Sequence, residues 1–425
     1  MRRKPSRLPR SLRLRGALAL GMAVLGFAGL ALAQTTPAMA DPTETLVVVG
    51  SDTIQDVYNQ FAAQATGNLI GSYDAVNPVT KVAHEIITPV DGSATANCSF
   101  ARPNGSTEGV DDLRWALNQS TTNGGSAPAP QAQLGCIDVA RSSSGPTSEG
   151  LQSNTGPLVY IPFALDAVGG STGPANAASC PTFDPCPAFN VVTPNNGTVS
   201  VTPQTTLITT ADQFTVGDLR TLYVNCGTVS EGGVTYDPTG TVAGDTKIDL
   251  YIPQKGSGTR NFWASFLGFN ATTPPSCDHD TIVGGALAAD TVPVEEHDGT
   301  AVTTDPNGFG PFSIAQWISQ RNGHNDRRHG VVLHNLTPDG STTPQSPFGN
   351  SNPQTGSLNT NFPITRNVYS VVSFARVTNT SDPLFGLLNG PNSFVCNQQV
   401  SLIQFGFGLL PTTCGQVLAS NRVLG

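Results

Sequence analysis

The chain has 425 residues, of which 38% are hydrophobic and only 12% charged, with a formal net charge of −9. Seven of its 21 basic residues and none of its 30 acidic ones lie in the first forty, so the remainder carries 14 minus 30, or −16. That excess excludes a general binder of nucleic acid or of anionic membrane, while the roughly 385 residues after position 40 exceed one typical domain and can bury two substantial cores.

Arg2, Arg3, Lys4, Arg7, Arg10, Arg13 and Arg15 precede an apolar run from Ala17 to Ala33, and Ala38-Met39-Ala40 follows as a small-x-small site. This is the pattern of a secretory signal peptide, residues 1–40, cleaved after Ala40. No cysteine stands near the site to take a lipid, and no later segment approaches the length of a membrane span. The expected location is therefore extracellular or periplasmic. All eight cysteines follow the leader, and an even count in an exported chain suggests disulfides. Sequential pairing, Cys98–Cys136, Cys180–Cys186, Cys226–Cys277 and Cys396–Cys414, is the simplest connectivity. The spacings lack CxxC pairs, and no metal site or cofactor is expected.

In chain order, Leu46-Val47-Val48-Val49 reads as a strand. Ile54, Val57, Tyr58, Phe61, Ala62 and Ala65 then recur at the spacing of one helix face. Lys81 to Thr88 reads as a short strand, Cys98 to Gly109 as loop, Val110 to Asn118 as a brief helix and Ser120 to Gln131 as loop. Cys136 to Ala140 reads as a buried strand ending in the polar turn Arg141-Ser142-Ser143-Ser144. Leu158 to Ala164 is another strand, with Asp166 to Gly170 as a crossover. Residues 171–206 read as a solvated insertion, and Thr215 to Tyr223 as a capped helix. Ile248, Leu250 and Ile252 alternate as a strand, and Phe262, Trp263, Phe266 and Leu267 mark a helix face. Gly308 to Ile318 returns the chain to its first part, and Asn367 to Val377 is a late strand. Strands alternating with helices give an α/β architecture. Trp115, Trp263 and Trp317 are expected in the core. The six histidines read mostly as surface residues, and Arg321 to His329 as a solvated helix end.

Two turns carry the chemistry. Gly50-Ser51-Asp52-Thr53 and Gly256-Ser257-Gly258-Thr259 each join a strand to a helix. The first turn of a helix offers unpaired N–H groups and the positive end of the macrodipole, which favour an anion. Hydroxyls of Ser51, Thr53, Ser257 and Thr259 add donors, and glycine allows close approach. Each turn alone reads more readily as an ordinary N-cap; the pair suggests two halves of an anion clamp.

These turns, together with Ile137-Asp138-Val139-Ala140-Arg141-Ser142-Ser143, the strand Tyr160 to Val168, Gln254-Lys255-Gly256-Ser257-Gly258-Thr259, Gly308-Phe309-Gly310 and Asn367 to Val372, resemble the periplasmic phosphate-binding proteins of phosphate ABC transporters. The resemblance implies a two-lobed type II periplasmic-binding-protein fold, with mixed sheets flanked by helices and a hinge of crossover strands. Residues 41–165 and 308–425 would form lobe 1, and 166–307 lobe 2. It also implies a monomeric secreted binding protein that captures inorganic phosphate or a related oxyanion for a membrane permease. The site would comprise Ser51, Asp52, Thr53, Arg141, Ser142, Ser143, Lys255, Gly256, Ser257, Gly258 and Thr259. Two departures bear on the ligand: the family's aspartate stands where this chain has Ser143, and its arginine where this chain has Pro253. Lys255, Arg260 or Arg141 would have to compensate. Two other readings stay open: a ligand-free cell-surface module on the same fold, and an extracellular phosphoester hydrolase using Ser51 or Ser257. No Gly-x-Ser-x-Gly elbow supports the hydrolase.

Overall fold

The computed structural model describes residues 45–89, 98–117, 126–149, 152–176, 186–194, 197–349 and 356–424. The leader, Ser120 and Cys180 with its expected bridge lie outside them. Strand β1, Leu46–Gly50, is buried along its whole length, and its alternate side chains serve opposite faces as strand geometry requires. Leu46 and Val48 pack with Val57, Tyr58 and Phe61 of helix α1, Gln55–Gln64. Val47 and Val49 pack with Val110 and Leu113 of α2, Ser106–Ala116. Each such side chain contributes about 1.5–3 kcal/mol by leaving water.

The other strands of the ten-stranded central sheet are β2 Ile70–Ser72, β3 Val139–Ser142, β4 Leu158–Thr172, β5 Asp249–Tyr251, β6 Asp278–His279, β7 Gly308–Ser313, β8 Val332–Leu333, β9 Thr365–Ser373 and β10 Arg422–Val423. Their order is β6-β5-β7-β4-β9-β3-β1-β2, with β8 and β10 also pairing β4. β1 runs parallel to β2 and β3, and β5 parallel to β6 and β7. Between these sets the direction reverses at β3–β9, at β9–β4 and at β4–β7. Three reversals leave the parallel sets running in opposite senses. The early residues of β4 pair with β9 and Val168 to Ser171 pair with β7, so the carboxyl ends of the two sets point toward each other along it. Carboxyl ends of strands are where open α/β sheets gather ligands.

The mixed α/β class holds, and several local expectations are refined. β4 continues through Asp166 to Gly170 because it pairs first with β9 and then with β7. Of Lys81 to Thr88 only Ile86–Ile87 forms a strand, with Ala83 making a lone bridge to Val76, since Lys81 and His84 adopt positive φ. α2 starts at Ser106 rather than Val110. Within the insertion, Phe189–Thr193 and Gly197–Val201 form an antiparallel hairpin that buries Val191 and Val201 against the core. Trp263 and Trp317 are buried, but Trp115 is 40% exposed. Arg328 is buried over Trp317 and pairs with Asp326, and Arg327 pairs with Asp56, so that segment is not a solvated end.

Helix α3, Val216–Asn225, carries the expected cap as a reciprocal Thr215–Asp218 box. Disulfides Cys98–Cys136, Cys226–Cys277 and Cys396–Cys414 form as the sequential pairing anticipates. Among the described residues no helix is long and apolar enough to cross a membrane.

Candidate functional site

The two Gly-Ser turns meet. β1 leads through Ser51 to α1, and β5 leads through Gly256 to α4, Gly258–Leu267. Because the strands end toward one another, Thr53 Oγ1 and Thr259 Oγ1 lie 3.4 Å apart. Ser257 caps α4 by accepting the N–H groups of Thr259 and Arg260, an arrangement worth about 0.5–2 kcal/mol. α1 has Ile54 at the corresponding place and no side-chain cap, so Thr53 is free to reach toward Thr259 and Glu296.

What the hydroxyls hold is a carboxylate of the chain itself. Glu296 Oε1 accepts from Thr53 Oγ1 at 2.6 Å and from Thr259 Oγ1 at 2.7 Å, and its Oε2 accepts from Ser257 Oγ at 3.0 Å. Glu296 is wholly buried. It stands just before α5, Thr300–Thr304, in a segment tied down on both sides. Gln254 Nε2 donates to Glu295 Oε1, and the Ser313 N–H donates to the Glu296 carbonyl. From α6, Ile314–Arg321, Gln316 Nε2 donates to the Thr53 carbonyl at 2.6 Å, so α6 anchors the first turn as well.

The flank beside Glu296 is acidic. Asp52 Oδ1 accepts the Thr53 N–H, and Asp52 Oδ2 lies 3.2 Å from His297 Nδ1. Burial pushes the Asp52 carboxyl up, but the His297 charge and hydrogen bonds from His297, Glu295 and the Thr53 N–H together hold it well below the usual range. Glu295 moves the other way: burial, then the charges of Asp52 and Glu296, drive it far up. Glu296 is also raised, by burial and Asp52, while His297, the Thr53 hydroxyl and Arg366 oppose the rise. Asp52, Glu295, Glu296 and His297 each offer one ligand-type atom within 4.8 Å of the others.

A third helix start joins the two foreseen. Gly105, at φ +106, turns the chain into α2, and a Cβ there would stand 2.6 Å from the Gly256 carbonyl oxygen. Ser106 Oγ accepts the Ser143 N–H at 3.0 Å. A Cβ on Gly258 would collide with Ser106 Oγ and come within 2.6 Å of Ser143 Oγ. Glycine at 258 is what lets the α2 start and the turn after β3 close on α4.

Thr53, Ser257 and Thr259 thus converge, with Asp52 beside them, while Gly258 and Ser143 pack against Ser106 nearby. Ser51 is buried with its Oγ unpartnered. Ser142 Oγ turns back to the Ser144 carbonyl. Arg141 is not aimed into the cleft: its guanidinium donates to the carbonyls of Ser51, Gly50 and Tyr73 and to Ser72 Oγ, bracing the first turn from behind. Arg260 similarly donates to the Ala271 and Pro253 carbonyls and to Asp280. Lys255 is exposed.

Sequence reasoning missed Glu295 and Glu296, and it placed His297 among histidines read mostly as surface residues although His297 is 7% exposed. The signal was present as Glu295-Glu296-His297-Asp298, four consecutive ionisable residues in a chain only 12% charged. Ser106 was legible as a further Gly-Ser at a strand-to-helix junction. Arg366 was missed as well. It is buried on β9, donates from Nε and Nη2 to Asp166, and leaves Nη1 without a partner.

No family model and no curated protein matches the chain. Among solved structures it is similar to a provisionally assigned phosphate ABC transporter substrate-binding protein with bound phosphate from Clostridium perfringens, at 12% identity over 86% of this chain and 100% of that one, with a TM-score of 0.43. It is similar also to a possible phosphate-binding protein from Planctomyces limnophilus, at 13% identity over 88% and 95%, TM-score 0.37. A phosphate-binding protein from Stenotrophomonas maltophilia matches at 12% identity over 87% and 91%, TM-score 0.33. Scores this low assign neither ligand nor transport role to this chain.

Proposed function

We propose that this chain is a secreted solute-binding protein whose cleft takes up a small tetrahedral oxyanion, inorganic phosphate foremost, for a membrane permease. The observation that carries the reading is the convergence of Thr53, Ser257 and Thr259 hydroxyls from two separate helix starts on one buried oxyanion, the Glu296 carboxylate. The cradle is built to oxygen spacing, and Glu296 fills it as an internal stand-in. Phosphate enters when that side chain swings out. Asp52 Oδ2, beside the cradle and 3.2 Å from His297 Nδ1, accepts the proton of hydrogen phosphate, the role the aspartate expected at Ser143 would have had. Sulfate carries no proton for it, so a charged Asp52 repels sulfate uncompensated. Arg366, with Nη1 free, is the nearby buried cation that opposes the surplus acid. Calorimetric titration with phosphate and with sulfate at equal ionic strength tests the reading, and phosphate heat that exceeds sulfate heat is expected.

A second reading has its own support. Glu296 already satisfies all three hydroxyls, as a ligand-free module on this architecture would require. Absence of heat with either anion, in the wild type and in Glu296→Ala alike, moves the assignment there.

A further inference from the structure

We propose that Asp52, Glu295, Glu296 and His297 form a binding site for a divalent first-row metal ion, zinc foremost. The four side chains place one oxygen or nitrogen each within 4.8 Å of the others. An independent observation points to a further ligand there: Asp52 Oδ2 and His297 Nδ1 face only each other, at 3.2 Å and outside regular hydrogen-bond geometry, although Asp52 is 2% and His297 7% exposed. Glu295 Oε2 has no regular hydrogen bond either. Buried polar atoms are almost always well paired, and three that have only one another on one small locus leave lone pairs that a cation would accept.

The surroundings have the form of a metal site's outer shell. Thr53, Thr259 and Ser257 orient the Glu296 carboxylate, Gln254 orients Glu295, and Gln320 Nε2 pins the His297 carbonyl at 2.6 Å. Such outer partners fix ligand orientation and raise affinity. Three carboxylates with one imidazole suit zinc, whose bonds to oxygen and nitrogen are about 2.0–2.2 Å; the cluster reaches that shell by small side-chain contraction. Calcium wants about 6–8 oxygens, more than these residues supply. This inference does not rest on the oxyanion reading. A bound ion holds Glu296 across the hydroxyls, so metal and phosphate compete.

Calorimetry of the chelator-treated protein with zinc chloride, in buffer free of phosphate, tests it. One equivalent is expected to bind, and His297→Gln and Asp52→Asn each weaken it by about tenfold or more. Because either substitution could impair folding, X-ray absorption at the zinc edge of the loaded wild type provides a second readout. A shell of one imidazole and otherwise oxygen supports the site, and a shell without imidazole overturns it. Zinc failing to bind the wild type also overturns it, leaving protons to neutralise the cluster. Phosphate titration of the metal-free protein reads the oxyanion cradle separately, so failure of one assignment leaves the other standing.

Discussion

On one side of the buried cluster, the hydroxyls of Thr53, Ser257 and Thr259 each donate to Glu296. On the other side, a few ångströms away, Asp52 Oδ2, Glu295 Oε2 and His297 Nδ1 have no well-formed hydrogen bond and face only one another. The donor side is complete without a ligand because the chain provides its own oxyanion. The acid side is incomplete, and its deficit is of positive charge. A fold that gathers helix starts at facing strand ends can therefore satisfy its anion-seeking groups internally and still leave a demand of opposite sign beside them.

The strongest way to break this comparison is to keep the sides from meeting. Gly258→Val should place methyl groups where Ser106 Oγ and Ser143 Oγ stand, lowering stability by about 1–3 kcal/mol and abolishing phosphate heat. Thermal melting and calorimetry would show both. Glu296→Ala attacks only the donor side. It leaves three buried hydroxyls without their acceptor, at about 1–3 kcal/mol for an unsatisfied group, and so should tighten phosphate binding by roughly 10- to 100-fold. Unchanged affinity would mean the hydroxyls never receive an external anion.

A buried carboxylate away from the cleft sharpens the contrast. Asp278, on β6, leaves Oδ2 unpartnered. Burial raises its carboxyl from 3.8 to about 8, against the pull of Arg260. A raised folded value means its contribution is full below about pH 4 and lost as the pH rises to about 8. Asp278→Asn should flatten the melting profile across that window and raise stability at its upper end by about 1–3 kcal/mol; an unaltered profile would count against it. The smallest effect is expected from Thr53→Val. It removes one of three hydrogen bonds to Glu296, so a loss of about 0.5–1.5 kcal/mol should appear in denaturant titration.

Much of this arrangement was legible in the chain. The apolar run Leu46 to Val49, the stripes of α1 and α4 and the two Gly-Ser turns follow from periodicity and turn chemistry, and they meet as the anion-clamp reading requires. Three of the four sequential cysteine pairs form, and the fourth lies outside the described residues. The acceptor of these hydroxyls was not legible, because Glu296 reaches Thr53 across 243 positions and Ser257 across 39, and no local pattern records such a contact. The same holds for Arg141. A polar turn after a strand reads as open to ligand, whereas the guanidinium is drawn back to carbonyls left by the tight turn at Gly50. Trp115 sat at a core-like spacing, yet α2 packs through Val110 and Leu113 and leaves it outward.

The most direct test is a crystal structure of Glu296→Ala grown with phosphate. The account predicts one phosphate bonded to Thr53 Oγ1, Ser257 Oγ and Thr259 Oγ1 with an oxygen facing Asp52. A cleft that stays empty at saturating phosphate, or an anion bound only elsewhere on the protein, would contradict it.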